Sequence, residues 1–150
     1  MKNLKIGDSA PSINSVDQNG DVVTLEQFKG SKVVLYFYPK DMTPGCTVQS
    51  CNLRDNYKLL LEKGYVVLGC SADSPESHVK FIKKHDLPFS LISDESKQVL
   101  NAYGVWGPKK FMGKEFDGIT RTTFVIDEKG IIEDIIEKVK TKEHTSQILN

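Results

Sequence analysis

The stretch from Lys32 to Cys46, KVVLYFYPKDMTPGC, decides how this chain is read. Lys32 to Tyr38 is a nearly unbroken apolar and aromatic run, the pattern of a central strand covered on both faces. Thr43-Pro44 then opens a segment in which Val48, Cys51, Leu53, Tyr57, Leu60 and Leu61 fall mostly at three- and four-residue intervals as far as Gly64, which predicts one amphipathic helix. A cysteine, Cys46, therefore stands where a buried strand hands over to the first turn of a helix.

Working outward, Tyr65 to Cys70 reads as a second buried strand, and Ser74-Pro75 as an N-cap with proline at the first helical position, opening a helix to about His85. Phe89 to Ser93 is a third short strand and Asp94 to Tyr103 a third helix. Arg121 to Ile126 and Ile131 to Val139 flank Asp127-Glu128-Lys129-Gly130 as a hairpin, and Glu143 to Leu149 is a final short helix. Upstream, residues 13 to 25 carry Asn19-Gly20 between two short segments, a small hairpin with a tight turn, and Thr24 caps a short helical turn ending near Gly30. The expected architecture is α/β: a mixed central sheet flanked by helices, with an N-terminal hairpin extension, in one domain spanning residues 1–150.

Composition removes rival classes. Twenty basic residues balance twenty acidic ones, so no net field draws the chain to a polyanion or an acidic lipid surface, and neither a nucleic-acid nor a membrane partner is expected. Met1 to Asp8 lacks an apolar signal core and the longest apolar run, Val33 to Tyr38, is far too short to span a bilayer, which makes the cytoplasm the expected location.

Three cysteines are an odd number for a disulfide framework and point instead to metal or redox chemistry. His78, His85 and His144 show no paired ligand spacing with the cysteines and read as solvated helix residues, so neither a metal nor a cofactor is assigned. Redox chemistry at Cys46 has a physical basis. Free N–H groups and the positive end of the dipole at a helix start favour an anion, whereas an ordinary thiol is only roughly 3% thiolate at pH 7. A thiolate attacking a peroxide oxygen also needs hydrogen-bond donors for the oxygens and a cation. Thr43 offers a hydroxyl, the Cys46 N–H a second donor, and Arg121 is the candidate cation. Pro39 and Pro44 offer rigidity and shielding from water. Cys70 ends an apolar strand and reads as a buried thiol, while Trp106 and Phe111 read as packing aromatics.

At these residues a resemblance becomes specific. Pro39, Thr43 and Cys46 reproduce the PxxxTxxC signature of peroxiredoxins, and Thr-Pro-Gly-Cys-Thr followed by Gln49, Cys51, Arg54 and Asp55 resembles the Q-type branch, the bacterioferritin comigratory proteins. The likeness runs along nearly the whole chain, from Gly7-Asp8-Ser9-Ala10-Pro11 through Ser71-Ala72-Asp73-Ser74 and Tyr103-Gly104-Val105-Trp106 to Arg121-Thr122-Thr123-Phe124-Val125-Ile126-Asp127. It implies a thioredoxin-like fold, with Cys46 as the peroxidatic cysteine, Cys51 as the resolving cysteine and Arg121 as the active-site arginine. It further implies a hydroperoxide substrate, thioredoxin or a similar dithiol as reductant, and a monomer.

Two other classes compete for the same cysteines. A thiol–disulfide oxidoreductase on such a fold would carry CxxC, whereas four residues separate Cys46 from Cys51 here. A redox sensor or holdase would keep the cysteines without catalytic turnover.

Overall fold

The computed structural model describes residues 4–149, the side chain of Phe111 excepted. Its centre is a seven-stranded mixed sheet. The expected central strand is β3, Lys32–Phe37. It pairs in parallel with β4, Tyr65–Ser71, and antiparallel with β8, Thr122–Ile126. Alternation along β3 feeds two cores: Val33, Leu35 and Phe37 pack on one face, Val34 and Tyr36 on the other, with Tyr38 following on that second face. That is why the run reads as apolar without a break.

The strand β4 continues to β5, Ser90–Ser93, in parallel, and β9, Ile132–Ile136, closes the far edge against β8. The N-terminal hairpin is present as β1, Ser15–Val16, and β2, Val22–Val23, joined to the sheet through β5. Of the Asn19-Gly20 pair only Gly20 takes a positive φ, so the connection is a longer loop held by Asp17 and not the tight turn expected. Thr24 and Gln27 form a capping box on the short 3-10 turn Leu25–Phe28.

The helix between β3 and β4 departs from expectation. It is two helices, α1 at Pro44–Asp55 and α2 at Tyr57–Glu62, broken at Asn56. The Asn56 side-chain amide donates to the Asn52 carbonyl at 2.8 Å, competing with the backbone for that acceptor as asparagine does. The helix α3, Pro75–His85, has the predicted Ser74 cap, with Ser77 N–H on its Oγ at 3.2 Å. The next helix, α4, is shorter than expected, Gln98–Ala102, because the buried Asp94 carboxylate holds a turn ahead of it and accepts from Leu100 N–H. The closing helix is α5, His144–Leu149.

The span after α4, unassigned from sequence, forms a two-stranded hairpin of β6, Trp106–Phe111, and β7, Lys114–Ile119. Its turn places Met112 and Gly113 both at positive φ. Methionine is an unusual occupant of such a turn, and much of the hairpin surface is exposed, so neither turn chemistry nor alternation announces it.

Two histidines correct the sequence reading. His78 and His144 are fully buried, not solvated. Each lies three or four residues before a buried apolar side chain of its own helix, Phe81 and Ile148 respectively, so helical spacing carried the signal that both face inward.

Candidate active site

Pro39 follows β3, and the chain turns through Met42, at φ 68°, into α1. Pro44 occupies the first helical turn and has no N–H to leave unpaired, and the Thr43 side chain does not cap the helix. The N–H groups of Gly45 and Cys46 are therefore left for a ligand. The Cys46 side chain is 1% exposed, packed in the core beneath α1 and beside Tyr36 and Tyr38.

Arg121 comes from just before the neighbouring strand in the sheet, on the face that also carries Val125 and Cys46. In the antiparallel register of β3 with β8, Phe37 stands opposite Thr122. The residue before β8 is consequently level with the carboxyl end of β3, where α1 begins. Its Nη2 donates to Cys46 Sγ at 3.1 Å, and its Nη1 donates to Gln49 Oε1. Gln49, one helical turn after Cys46 and fully buried, orients the guanidinium. The three-residue spacing was the signal for this role, which reading the residues one by one misses. Gly45 completes the fit, since a Cβ there would stand 3.3 Å from Arg121 Nη2.

Thr43 enters the site with a different polarity from the one expected. Its hydroxyl donates to the Lys40 carbonyl at 2.9 Å, which leaves the oxygen's lone pairs, and not its proton, for a ligand. Cys51 lies on the same continuous helix as Cys46 and is partly buried, and all three cysteines are free thiols. Cys70, wholly buried in β4, is held well above the ordinary thiol value, chiefly by burial and secondarily by the nearby Asp94 charge. The expected packing role of Phe111 lies outside the described residues.

Beside the reactive loop is a cavity of about 290 Å³, bounded by Pro39, Lys40, Asp73, Trp106, Phe116 and Ile119. Trp106 and the β6–β7 hairpin thus wall a space rather than only fill one. A larger groove of about 530 Å³ touches Tyr103, Val105 and Phe124 of the opposite core and carries none of these reactive groups.

Among the described residues, Asp41, Asp73 and His78 bring possible metal-ligating atoms within 4.8 Å of one another. Both oxygens of Asp41, one oxygen of Asp73 and both ring nitrogens of His78 are already engaged. Asp41 accepts from Tyr38 Oη at 2.6 Å and Ser77 Oγ at 2.9 Å and pairs with His78 Nδ1 at 2.7 Å. Asp73 accepts from Asp41 N–H at 2.8 Å and Ser71 Oγ at 2.7 Å. His78 Nε2 donates to the Ile92 carbonyl at 3.0 Å. The knot ties the loop after β3 to α3 and β5, and its donor set suits that work better than a cation.

The pattern of the AhpC/TSA family matches residues 6–135. Peroxiredoxin Bcp of Escherichia coli is 51% identical over 150 residues, covering 100% of this chain and 96% of its own. A mutant PrxQ of Xylella fastidiosa superposes with a TM-score of 0.92 at 29% identity, over 100% of this chain and 96% of that one. The bacterioferritin comigratory protein of Xanthomonas campestris, described for alkyl peroxide reduction, superposes at 0.85 with 33% identity, over 91% and 87%. The fold is the thioredoxin-like one that the resemblance implied.

Proposed function

The chain belongs to the AhpC/TSA family, in its Bcp or Q-type peroxiredoxin branch, and we propose that it reduces hydroperoxides through Cys46 and recovers through a disulfide with Cys51. The observation that carries this reading is the Arg121 guanidinium on the Cys46 sulfur at the open start of α1. Guanidinium and helix dipole together stabilise negative charge on that sulfur.

In the first step the Cys46 thiolate attacks the terminal oxygen of ROOH. An S–O bond forms, the O–O bond breaks, and the departing alkoxide leaves as ROH once protonated, with Cys46 as the sulfenic acid. Arg121 and the free N–H groups of the helix start are aimed where charge develops on oxygen, and the Thr43 lone pair can take the hydroperoxide proton's hydrogen bond. Cys51 then attacks the sulfenic sulfur, the S–O bond breaks, and the Cys51 proton leaves with hydroxide as water. A dithiol of the thioredoxin type returns both thiols by exchange.

The cavity at Pro39, walled by Trp106, Phe116 and Ile119, offers room for the organic part of a substrate. Alkyl hydroperoxides join hydrogen peroxide in the proposal for that reason, and the Xanthomonas relative's described activity points the same way. Action as a monomer in the cytoplasm completes the reading. Among the described residues no helix is long and apolar enough to cross a membrane.

The deciding experiment couples NADPH oxidation to thioredoxin reductase, thioredoxin and the protein. Peroxide-dependent NADPH loss that needs Cys46 is expected. A fully reduced protein that consumes peroxide only stoichiometrically in this assay would instead favour the sensor or holdase class.

A further inference from the structure

We infer that Asn52 is a positioning residue for the recovery step: its side-chain amide latches α1 to the C-terminal segment and thereby limits how fast Cys51 can reach oxidised Cys46. This rests on Cys51 being the resolving cysteine.

Asn52 directly follows Cys51 in α1. Both ends of its amide are held by one short stretch of chain. Its Nδ2 donates to the Lys142 carbonyl at 2.8 Å, and its Oδ1 accepts from Thr145 N–H at 2.8 Å and from Thr145 Oγ at 2.8 Å. Thr145 is itself buried, and the same hydroxyl lies 3.4 Å from the Asn52 backbone carbonyl. The anchoring segment does not move freely either. The neighbouring His144 accepts from Thr123 Oγ on β8 at 2.8 Å and donates to Gln147 at 2.9 Å, which fastens it to the central sheet. A chain of hydrogen bonds thus runs from β8 through α5 to the residue adjoining Cys51.

The latch matters because the two cysteines share a regular helix. Five residues of α-helix put their Cα atoms roughly 8.6 Å apart, beyond the ~7 Å a disulfide tolerates. Cys51 can travel only if the helix around it unwinds, and unwinding there pulls on Asn52. While the latch holds, Cys46 sulfenic acid waits. A second hydroperoxide can then carry it to sulfinic acid, transferring one oxygen to sulfur and leaving as ROH. Asn52 therefore sets the partition between disulfide formation with loss of water and over-oxidation.

The test uses Asn52→Ala and Thr145→Val in the full chain, with stopped-flow fluorescence resolving Cys46 oxidation from disulfide formation and intact mass reporting sulfinic acid. Alanine favours helix more than asparagine, so propensity alone would slow unwinding in Asn52→Ala. We expect the opposite: disulfide formation faster by on the order of tenfold, from losing a few hydrogen bonds, with the first phase unaltered. More peroxide should then be needed to over-oxidise half the protein. Thr145→Val, which leaves α1 untouched, should shift both readouts in the same direction by less, and Thr145→Ser should behave as wild type. Disulfide formation at the wild-type rate or slower in Asn52→Ala overturns the latch. Absence of any Cys46–Cys51 bridge in the oxidised wild type on peptide mapping overturns the prior assignment of Cys51, and the latch with it.

Discussion

Arg121 donates to the sulfur of Cys46 at 3.1 Å across 75 residues of chain. The contact follows from the opposite directions of β3 and β8. One strand ends where the other begins, so a residue just before β8 meets a helix that starts just after β3. Cation, helix N-terminus and thiol converge with no local sequence relation between the first and the last.

Removing that cation should cost most of the chemistry. Arg121→Met is expected to slow oxidation of Cys46 by about a hundredfold, the usual loss for one oriented donor at a developing charge. It also strips the buried Gln49 carbonyl of its partner, at a cost to stability of about 1–3 kcal/mol. Stopped-flow oxidation together with urea denaturation measures both, and a wild-type oxidation rate would show the site is drawn wrongly.

Cys46→Ser should lack peroxide reduction altogether, because a serine hydroxyl stays protonated and is a poor nucleophile. Retention of more than about a tenth of the coupled turnover would contradict Cys46 as the nucleophile.

Cys70→Ser, in contrast, should turn over peroxide nearly as wild type. Burial in β4 keeps that thiol protonated at neutral pH and away from solvent. The expected cost is to stability alone. A large loss of steady-state activity with an intact circular dichroism spectrum would make Cys70 a participant.

These expectations differ in how far sequence alone carried them. The strand β3 was legible because burial on both faces leaves an unbroken apolar run, and Ser74-Pro75 because a cap is a local device. The place of Cys46 in the first turn of a helix was legible for the same reason, its loop and helix start being contiguous. Arg121 could be named as a cation but not placed, since its position depends on a strand register. The break at Asn56 arises from one side-chain amide competing for a carbonyl, which periodicity does not register. Burial of His78 depends on Asp41 and the Ile92 carbonyl being there to satisfy it, partners that lie 37 and 14 residues away.

His144 should make stability fall on acidification. Burial, aided by the Arg121 charge, lowers its affinity for a proton below the ordinary 6.5, while the Gln147 hydrogen bond acts in the other direction. The unfolded chain then binds the proton first as pH drops, so stability contributed by the neutral ring is full above about pH 6.5 and declines below it until the folded value is passed. The slope from this group is at most about 1.4 kcal/mol per pH unit. Denaturant midpoints at pH 7.5 and 5.5 should differ more in the wild type than in His144→Gln. Equal differences would mean that the ring titrates alike folded and unfolded.

The last expectation concerns the helix that carries Cys46 and Cys51. Cys46 and Cys51 lie within the continuous α1, Pro44–Asp55, with both sulfurs free. Regular helix holds their Cα atoms roughly 8.6 Å apart, against about 7 Å for a disulfide. A bridge between them therefore requires residues 47–52 to leave helical geometry, and the backbone hydrogen bonds of that stretch must open. Amide hydrogen exchange across residues 46–54 should rise on oxidation, while exchange in the β3 and β4 strands stays as it was. In Cys51→Ser the first oxidation should still proceed and then stop at the sulfenic acid, with exchange in α1 unchanged, because no bridge pulls the helix apart. Peptide mapping that finds the Cys46–Cys51 bridge alongside unaltered exchange in this stretch would contradict unwinding as the route to recovery.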